Sequence, residues 1–234
     1  MLNFLKLIKR KLLFFTLKQK HKSAFVRKQI KFKCEKHGSN YGGWVIKRGS
    51  VQTDSVIYSF GVGEDVTFDL SLIDKYGCIV HAFDPTPKSI EWITSQETPT
   101  KLKFYDYGLS DFDGAQKFFP PKNSEFVSHS IFELGDKTPI EFPVKKLDTI
   151  MSFLNHNHIN VLKMDIEGSE YSVIDYICQN NVSVDQILVE FHHRFDNVGF
   201  EKTIDSILKL NEAGYKIFYI SASGEEFSFW RDVK

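Results

Sequence analysis

The chain has 234 residues with 30 basic and 30 acidic side chains, a formal net charge of zero. That length suits one α/β domain with an appendage and a substantial core. The charge is uneven: 11 Lys or Arg and no acid precede Glu35, so the remainder holds 19 basic against 30 acidic residues, a balance that disfavours a nucleic-acid partner for the main body.

The chain begins with a basic arm, residues 1–36, ahead of a main domain at 37–234. Leu2, Leu5, Ile8, Leu12 and Phe15 recur at helical spacing among Lys6, Lys9, Arg10 and Lys11. The apolar runs are too short to span a bilayer. A long apolar core and a small-residue cleavage site are both missing, which argues against a signal peptide. Such an amphipathic helix either lies on an anionic membrane surface or docks on the domain with its basic face in water. Phe4, Phe14 and Phe15 read as packing residues. Cys34, Cys78 and Cys178 form no Cys-x-x-Cys pair and are odd in number, so a reduced protein is expected. The expected location is cytoplasmic, with peripheral membrane contact only if the arm lies on a bilayer rather than on the domain.

Next comes HGSNYGGWV, residues 37–45, a glycine-aromatic loop leading into a short strand at Trp44–Ile46. It either lids a pocket or is a simple turn. Val56, Ile57 and Tyr58 predict a buried strand, followed by a turn at Gly61-Val62-Gly63 and a helix over Asp65–Tyr76 that Gly77 ends. This is how an open α/β sheet makes a nucleotide crevice. The third glycine of a dinucleotide fingerprint is absent. Carboxylates at Glu64 and Asp65 repel a pyrophosphate but suit an ammonium or a ribose. Ile79–Phe83 is the second parallel strand. It stops at Asp84, about 20 residues past the turn, where an acid can accept hydrogen bonds from a ribose diol. The alternative for Asp84 is an N-cap for a helix over Lys88–Ser95.

Lys103–Tyr107 is the third strand, with Tyr107-Gly108-Leu109-Ser110 as its exit. Residues 115–143 are irregular and predict a β-excursion plus a loop. In it Val127-Ser128-His129-Ser130 either faces substrate or is solvated. A helix starts at Asp148. Val161–Asp165 is a buried strand with an acid at its tip, and Ile166–Glu170 turns into a helix whose core face is Val173, Ile174 and Ile177. Glu167 and Glu170 read as helix-start acids favoured by the dipole. The strand Gln186–Val189 ends in Glu190-Phe191-His192-His193-Arg194. A helix over Ile204–Leu210 and two strands, Tyr215–Ile220 and Glu225–Arg231, form the end of the chain. The tips of parallel strands gather on one edge, so Asp84, Asp165, Glu190 and the histidines should meet the glycine turn there.

These segments resemble FkbM-type S-adenosylmethionine-dependent methyltransferases. The resemblance rests on YSFGVGEDVTFD, HAFDPTP, YGLSDFDG, LKMDIEGSE and ILVEFHHRF in that order, and covers residues 40–231. It implies an α/β, Rossmann-like class I methyltransferase fold: a mostly parallel sheet with an antiparallel C-terminal hairpin, plus the helical arm. It implies S-adenosylmethionine as cofactor and O-methylation of a small molecule or of a sugar in a glycan. Carried over by motif, Gly61, Gly63 and Glu64 surround the methionine part and Asp84 holds the ribose. Asp106 to Leu109, including Gly108, lie near the adenine, and Asp165 sits beside the methyl group. The acid common two residues before the first glycine in class I members is Ser59 here.

Two catalytic routes fit the strand tips. His192 or His193 acts as general base, or Asp165, Glu190 and His192 hold a hard divalent ion such as Mg²⁺ or Mn²⁺ that lowers the acceptor hydroxyl's pKa. A non-catalytic cofactor-binding module of the same fold, and less so a nicotinamide-dependent oxidoreductase, remain as rival functions.

Overall fold

The glycine turn follows the central strand of a seven-stranded sheet. The computed structural model describes residues 2–20, 25–119, 131, 138–195 and 197–232, with side chains from residue 5 onward. In chain order the elements are α1 (Leu2–Lys20), β1 (Cys34–His37), β2 (Trp44–Lys47), β3 (Val56–Phe60), α2 (Thr67–Tyr76), β4 (Ile79–Phe83), α3 (Pro87–Thr94) and β5 (Leu102–Tyr105). Then follow β6 (Gly108–Leu109), β7 (Gly114–Phe118), β8 (Ile140–Lys145), α4 (Leu147–Phe153), β9 (Ile159–Met164), α5 (Glu170–Gln179), β10 (Val184–Glu190), α6 (Gly199–Glu212), β11 (Lys216–Ile220) and β12 (Glu226–Trp230).

The large sheet has the order β11-β12-β10-β9-β3-β4-β5. The strands from β10 to β5 are parallel, and β12 runs antiparallel between β10 and β11. This is the expected mostly parallel sheet with a C-terminal hairpin. Its parallel strands β3, β4, β9 and β10 are mostly apolar because both faces are covered. Tyr58, Leu162 and Val189 pack on one face with Phe191 and Phe227, while Ile57, Val161 and Leu188 pack on the other with Leu72 and Val80.

One local expectation changes, and two others gain detail. The third strand ends at Tyr105, and Gly108–Leu109 pairs instead with β8 in a separate three-stranded sheet, order β6-β8-β7. The irregular region 115–143 is pinned at both ends by an antiparallel ladder from Gly114↔Val144 to Phe118↔Ile140. Phe126 and the stretch Val127–Ser130 lie outside the described residues. The arm, finally, does not stand apart. Phe14 and Leu17 pack on the main core, Val26 is fully buried in it, and the Gln29 N–H donates to the Ile217 carbonyl (2.7 Å). The boundary expected at residue 36 therefore falls inside a packed segment.

Candidate active site

Beside β3 the strand order reverses, with β4 on one flank and β9 on the other, and the crevice of an open α/β sheet forms at such a switch point. A cavity of about 610 Å³ lies there, at the carboxyl ends of the strands. Its size is in the usual range of small-molecule sites.

At one end, Gly61 and Gly63 have φ of +76° and +59°. The Gly61 N–H donates to the Phe83 carbonyl (3.0 Å), and the Asp165 N–H donates to the Phe60 carbonyl (3.1 Å). A Cβ on Gly61 would run into the Asp165 carbonyl, so only glycine lets the two strand tips approach, whereas a Cβ on Gly63 would meet open space. Asp84 is nearly buried and lines the crevice. Its Oδ2 accepts the Gly63 N–H (2.9 Å), and its Oδ1 accepts the Thr86 N–H (2.9 Å) and hydroxyl (2.6 Å). Those bonds fix the carboxylate and leave acceptor capacity on Oδ2. The residue at the N-cap of α3 is Thr86, not Asp84. Gly108 and Leu109 line the same end, as does Glu64, which pairs loosely with Lys88 (3.7 Å). Asp106 is exposed and outside the lining.

The glycine-aromatic loop joins this wall through Asn40, Tyr41 and Trp44. Asp65 ties it down by accepting from the Ser39 hydroxyl (2.8 Å), and Thr67 Oγ1 accepts the Ser39 N–H (2.8 Å).

The other end is acidic. Asp165, Glu167 and Glu190 line it, with Arg194 beside them. Asp165 Oδ1, Glu167 Oε2 and Glu190 Oε1 lie 3.6, 3.3 and 3.9 Å from His192 Nε2. Behind the ring, Glu170 Oε1 faces His192 Nδ1 (3.1 Å) and accepts the His192 backbone N–H (3.0 Å). Burial alone would lower the pKa of His192, but Glu170 and Glu167 outweigh it and push the imidazole up to about 10. Burial would likewise raise Glu190, but His192 and Arg194, which donates to it at 2.8 Å, bring it below the usual carboxylate range. Asp165 goes the other way: its enclosure, then the Glu190 charge, raise it well above that range. The two neighbouring carboxyls thus divide into Glu190, which stays ionised, and Asp165, which keeps its proton to higher pH.

The sequence brought Asp165, Glu190 and His192 to one place, but their access differs. His192 has no exposed surface and sits behind the carboxylates, so it does not touch an acceptor as a general base must. His193 is outside the lining; it packs on Phe14 and Phe200, and burial lowers its pKa to about 4. Glu167 and Glu170 are more than dipole-favoured acids, because both face His192. Lys163 was not foreseen. It is buried and donates to the Phe60 carbonyl (3.0 Å) and to that of Gly61, with the Trp44 ring 5.6 Å away. A lysine inside the apolar run Val161–Met164 was its signal in the sequence.

A doubly covered parallel sheet, a glycine turn and an acid one strand over define a Rossmann-like domain of the class I methyltransferase type. The chain belongs to the FkbM methyltransferase family: the methyltransferase FkbM domain matches residues 52–217. It is 29% identical over 153 residues to the probable methyltransferase-like protein 24 of Homo sapiens, covering 62% of this chain and 34% of that protein. It is 27% identical over 166 residues to the hexuronic acid methyltransferase AglP of Haloferax volcanii, covering 65% and 67%. The chain thus spans about a third of the human relative's length. Among solved structures it superposes on a methyltransferase FkbM from Methylobacillus flagellatus with a TM-score of 0.49 at 12% identity, covering 77% of this chain and 44% of that one.

Proposed function

We propose that this domain binds S-adenosylmethionine in the crevice and transfers its methyl group to a hydroxyl oxygen of a sugar or similar small molecule. One observation carries the reading: a single crevice joins a glycine turn and a fixed, crevice-facing acid, Asp84, to a cluster of three carboxylates. Bound S-adenosylmethionine supplies a methyl group on a sulfonium. In this reading Gly61 and Gly63 let the backbone approach the methionine part, and Asp84 accepts hydrogen bonds from the ribose diol. Gly108 and Leu109 flank the adenine. Asp165 takes the acceptor's proton on its carboxylate, while Glu190, held by Arg194, stays ionised and orients the hydroxyl. His192 is a positioning residue whose positive charge keeps the three carboxylates together. The sugar acceptor is supported by the likeness to a hexuronic acid methyltransferase.

A second reading rests on the donor set. Asp165, Glu190 and His192 each offer a ligand atom within 4.8 Å of the others. His192 Nε2 lacks a hydrogen-bond partner among the described residues, and a carboxylate backs Nδ1, as behind a metal-bound imidazole. The three would hold Mg²⁺ or Mn²⁺, which supplies positive charge beside the acceptor oxygen.

The test is calorimetry with S-adenosylmethionine, followed by a turnover screen against hexuronic acids and neutral sugars with and without chelator. Failure to bind the cofactor overturns the reading. Binding without turnover on any acceptor favours a non-catalytic module, and loss of turnover with chelator favours the metal.

A further inference from the structure

Helix α1 carries two apolar faces, and only one of them is used by the domain. On an ideal helix of ~3.6 residues per turn, Arg10, Phe14 and Leu17 share one face. Phe14 sits among His193, Phe200 and Phe227, with ring centroids 6.5, 5.9 and 6.3 Å away. A Cβ on Gly224, which has φ of +80°, would enter the Phe14 ring, so the hairpin loop is shaped to admit it. Arg10 reaches Glu225 at 2.8 Å and lines the crevice. The helix is therefore fixed in its rotation about its own axis.

The opposite face is apolar and open. Leu5, Ile8, Leu12 and Phe15 are 56, 40, 62 and 62% exposed. They fall within an arc of about 80°, roughly half a turn from the docked face. Lys11 borders the stripe on one side, and Lys9 and Lys20 on the other, all three exposed. The first 34 residues contain 11 basic side chains and no acid. No helix among the described residues is long and apolar enough to cross a membrane. An apolar stripe edged by lysines on both sides matches a bilayer interface, where apolar side chains enter the acyl boundary and the ammonium groups rise to the phosphates.

We infer that α1 lies in the plane of an anionic membrane, seated by Leu5, Ile8, Leu12 and Phe15 and held by the flanking lysines. A neutral protein surface would leave the lysine borders without counter-charge. A second copy of α1 would bring basic borders together, and like charges repel. Because the docked face is locked to the domain, seating the outer face orients the whole molecule, and Arg10 puts the crevice beside the helix that touches lipid. The inference does not depend on the methyl-transfer reading, since it concerns a surface outside the crevice.

The experiment is co-sedimentation of the full chain with vesicles of phosphatidylcholine alone or mixed with phosphatidylglycerol. Binding is expected only with the anionic lipid, weakening about tenfold or more as salt rises from about 0.05 to 0.5 M. Leu12→Ser with Phe15→Ser, and separately Lys9→Glu with Lys11→Glu, should each weaken it at least tenfold while thermal unfolding is unchanged. Equal binding to neutral vesicles, or no binding to anionic ones, overturns the inference. So does a dimer in solution that the Leu12→Ser, Phe15→Ser variant dissociates, or a duplex oligonucleotide that competes fully with the vesicles.

Discussion

One oxygen of Glu170, Oε1, lies 3.1 Å from His192 Nδ1 and accepts the His192 backbone N–H at 3.0 Å. Both side chains are without exposed surface. This contact aims Nε2 at the three carboxylates of the crevice. The imidazole's pKa is raised to about 10 against an ordinary 6.5. A raised folded-state pKa stabilises the fold fully below the unfolded value, near 6.5, and that contribution fades as pH rises through about 10. His192→Gln should therefore cost about 2–4 kcal/mol at pH 7 and much less at pH 10. Denaturant unfolding of both proteins at the two pH values measures it. A cost independent of pH would mean His192 is held neutral.

Asp165 is expected to carry the chemistry. Asp165→Asn should keep S-adenosylmethionine affinity within about threefold and reduce turnover about 10²–10⁴-fold. Because Asp165 is raised, the acid limb of the wild-type turnover profile should lie above the ordinary carboxylate range, with activity rising as the group ionises. Near-normal turnover in the variant would return Asp165 to a structural role.

Asp84→Ala should weaken cofactor binding by about 1.5–3 kcal/mol, the size of charge-assisted hydrogen bonds to a ribose diol. The same change frees the Gly63 and Thr86 backbone N–H groups, so cofactor-free stability should fall too. Calorimetry showing unchanged affinity would move the ribose elsewhere.

The two turn glycines should respond differently to alanine. Gly61→Ala combines a positive φ with collision against the Asp165 carbonyl and should cost about 3 kcal/mol or more. Gly63→Ala has room for its methyl and should cost about 1 kcal/mol through its backbone angle alone. Its larger effect should be on cofactor affinity. Similar melting temperatures for the two variants would contradict the packing of Gly61 on β9.

Removing residues 1–20 should leave a folded domain that still binds cofactor, since α1 touches it mainly through Arg10, Phe14 and Leu17. A cut at residue 30 should be much more damaging. It also removes Val26 from the core and the Gln29 backbone bond to Ile217. Circular dichroism melts of the two truncations distinguish these outcomes.

Local pattern was enough to determine most of the sheet. Strands buried on both faces need predominantly apolar runs, so β3, β4, β9 and β10 were legible, with Gly61, Gly63 and Asp84 at their ends. Parallel direction then put Asp165 and Glu190 on one edge without any knowledge of distances. Orientation within that edge was not legible. Whether the His192 ring faces solvent or lies behind the carboxylates depends on Glu170, 22 residues away in sequence. Glu170 looked like an ordinary helix-start acid because its partner comes from another strand. The arm divides in the same way. Periodicity predicted an amphipathic helix, but it could not say which face the domain takes. That was decided by the niche formed by His193, Phe200, Phe227 and Gly224, residues about 180–210 positions away that share no local pattern with Phe14.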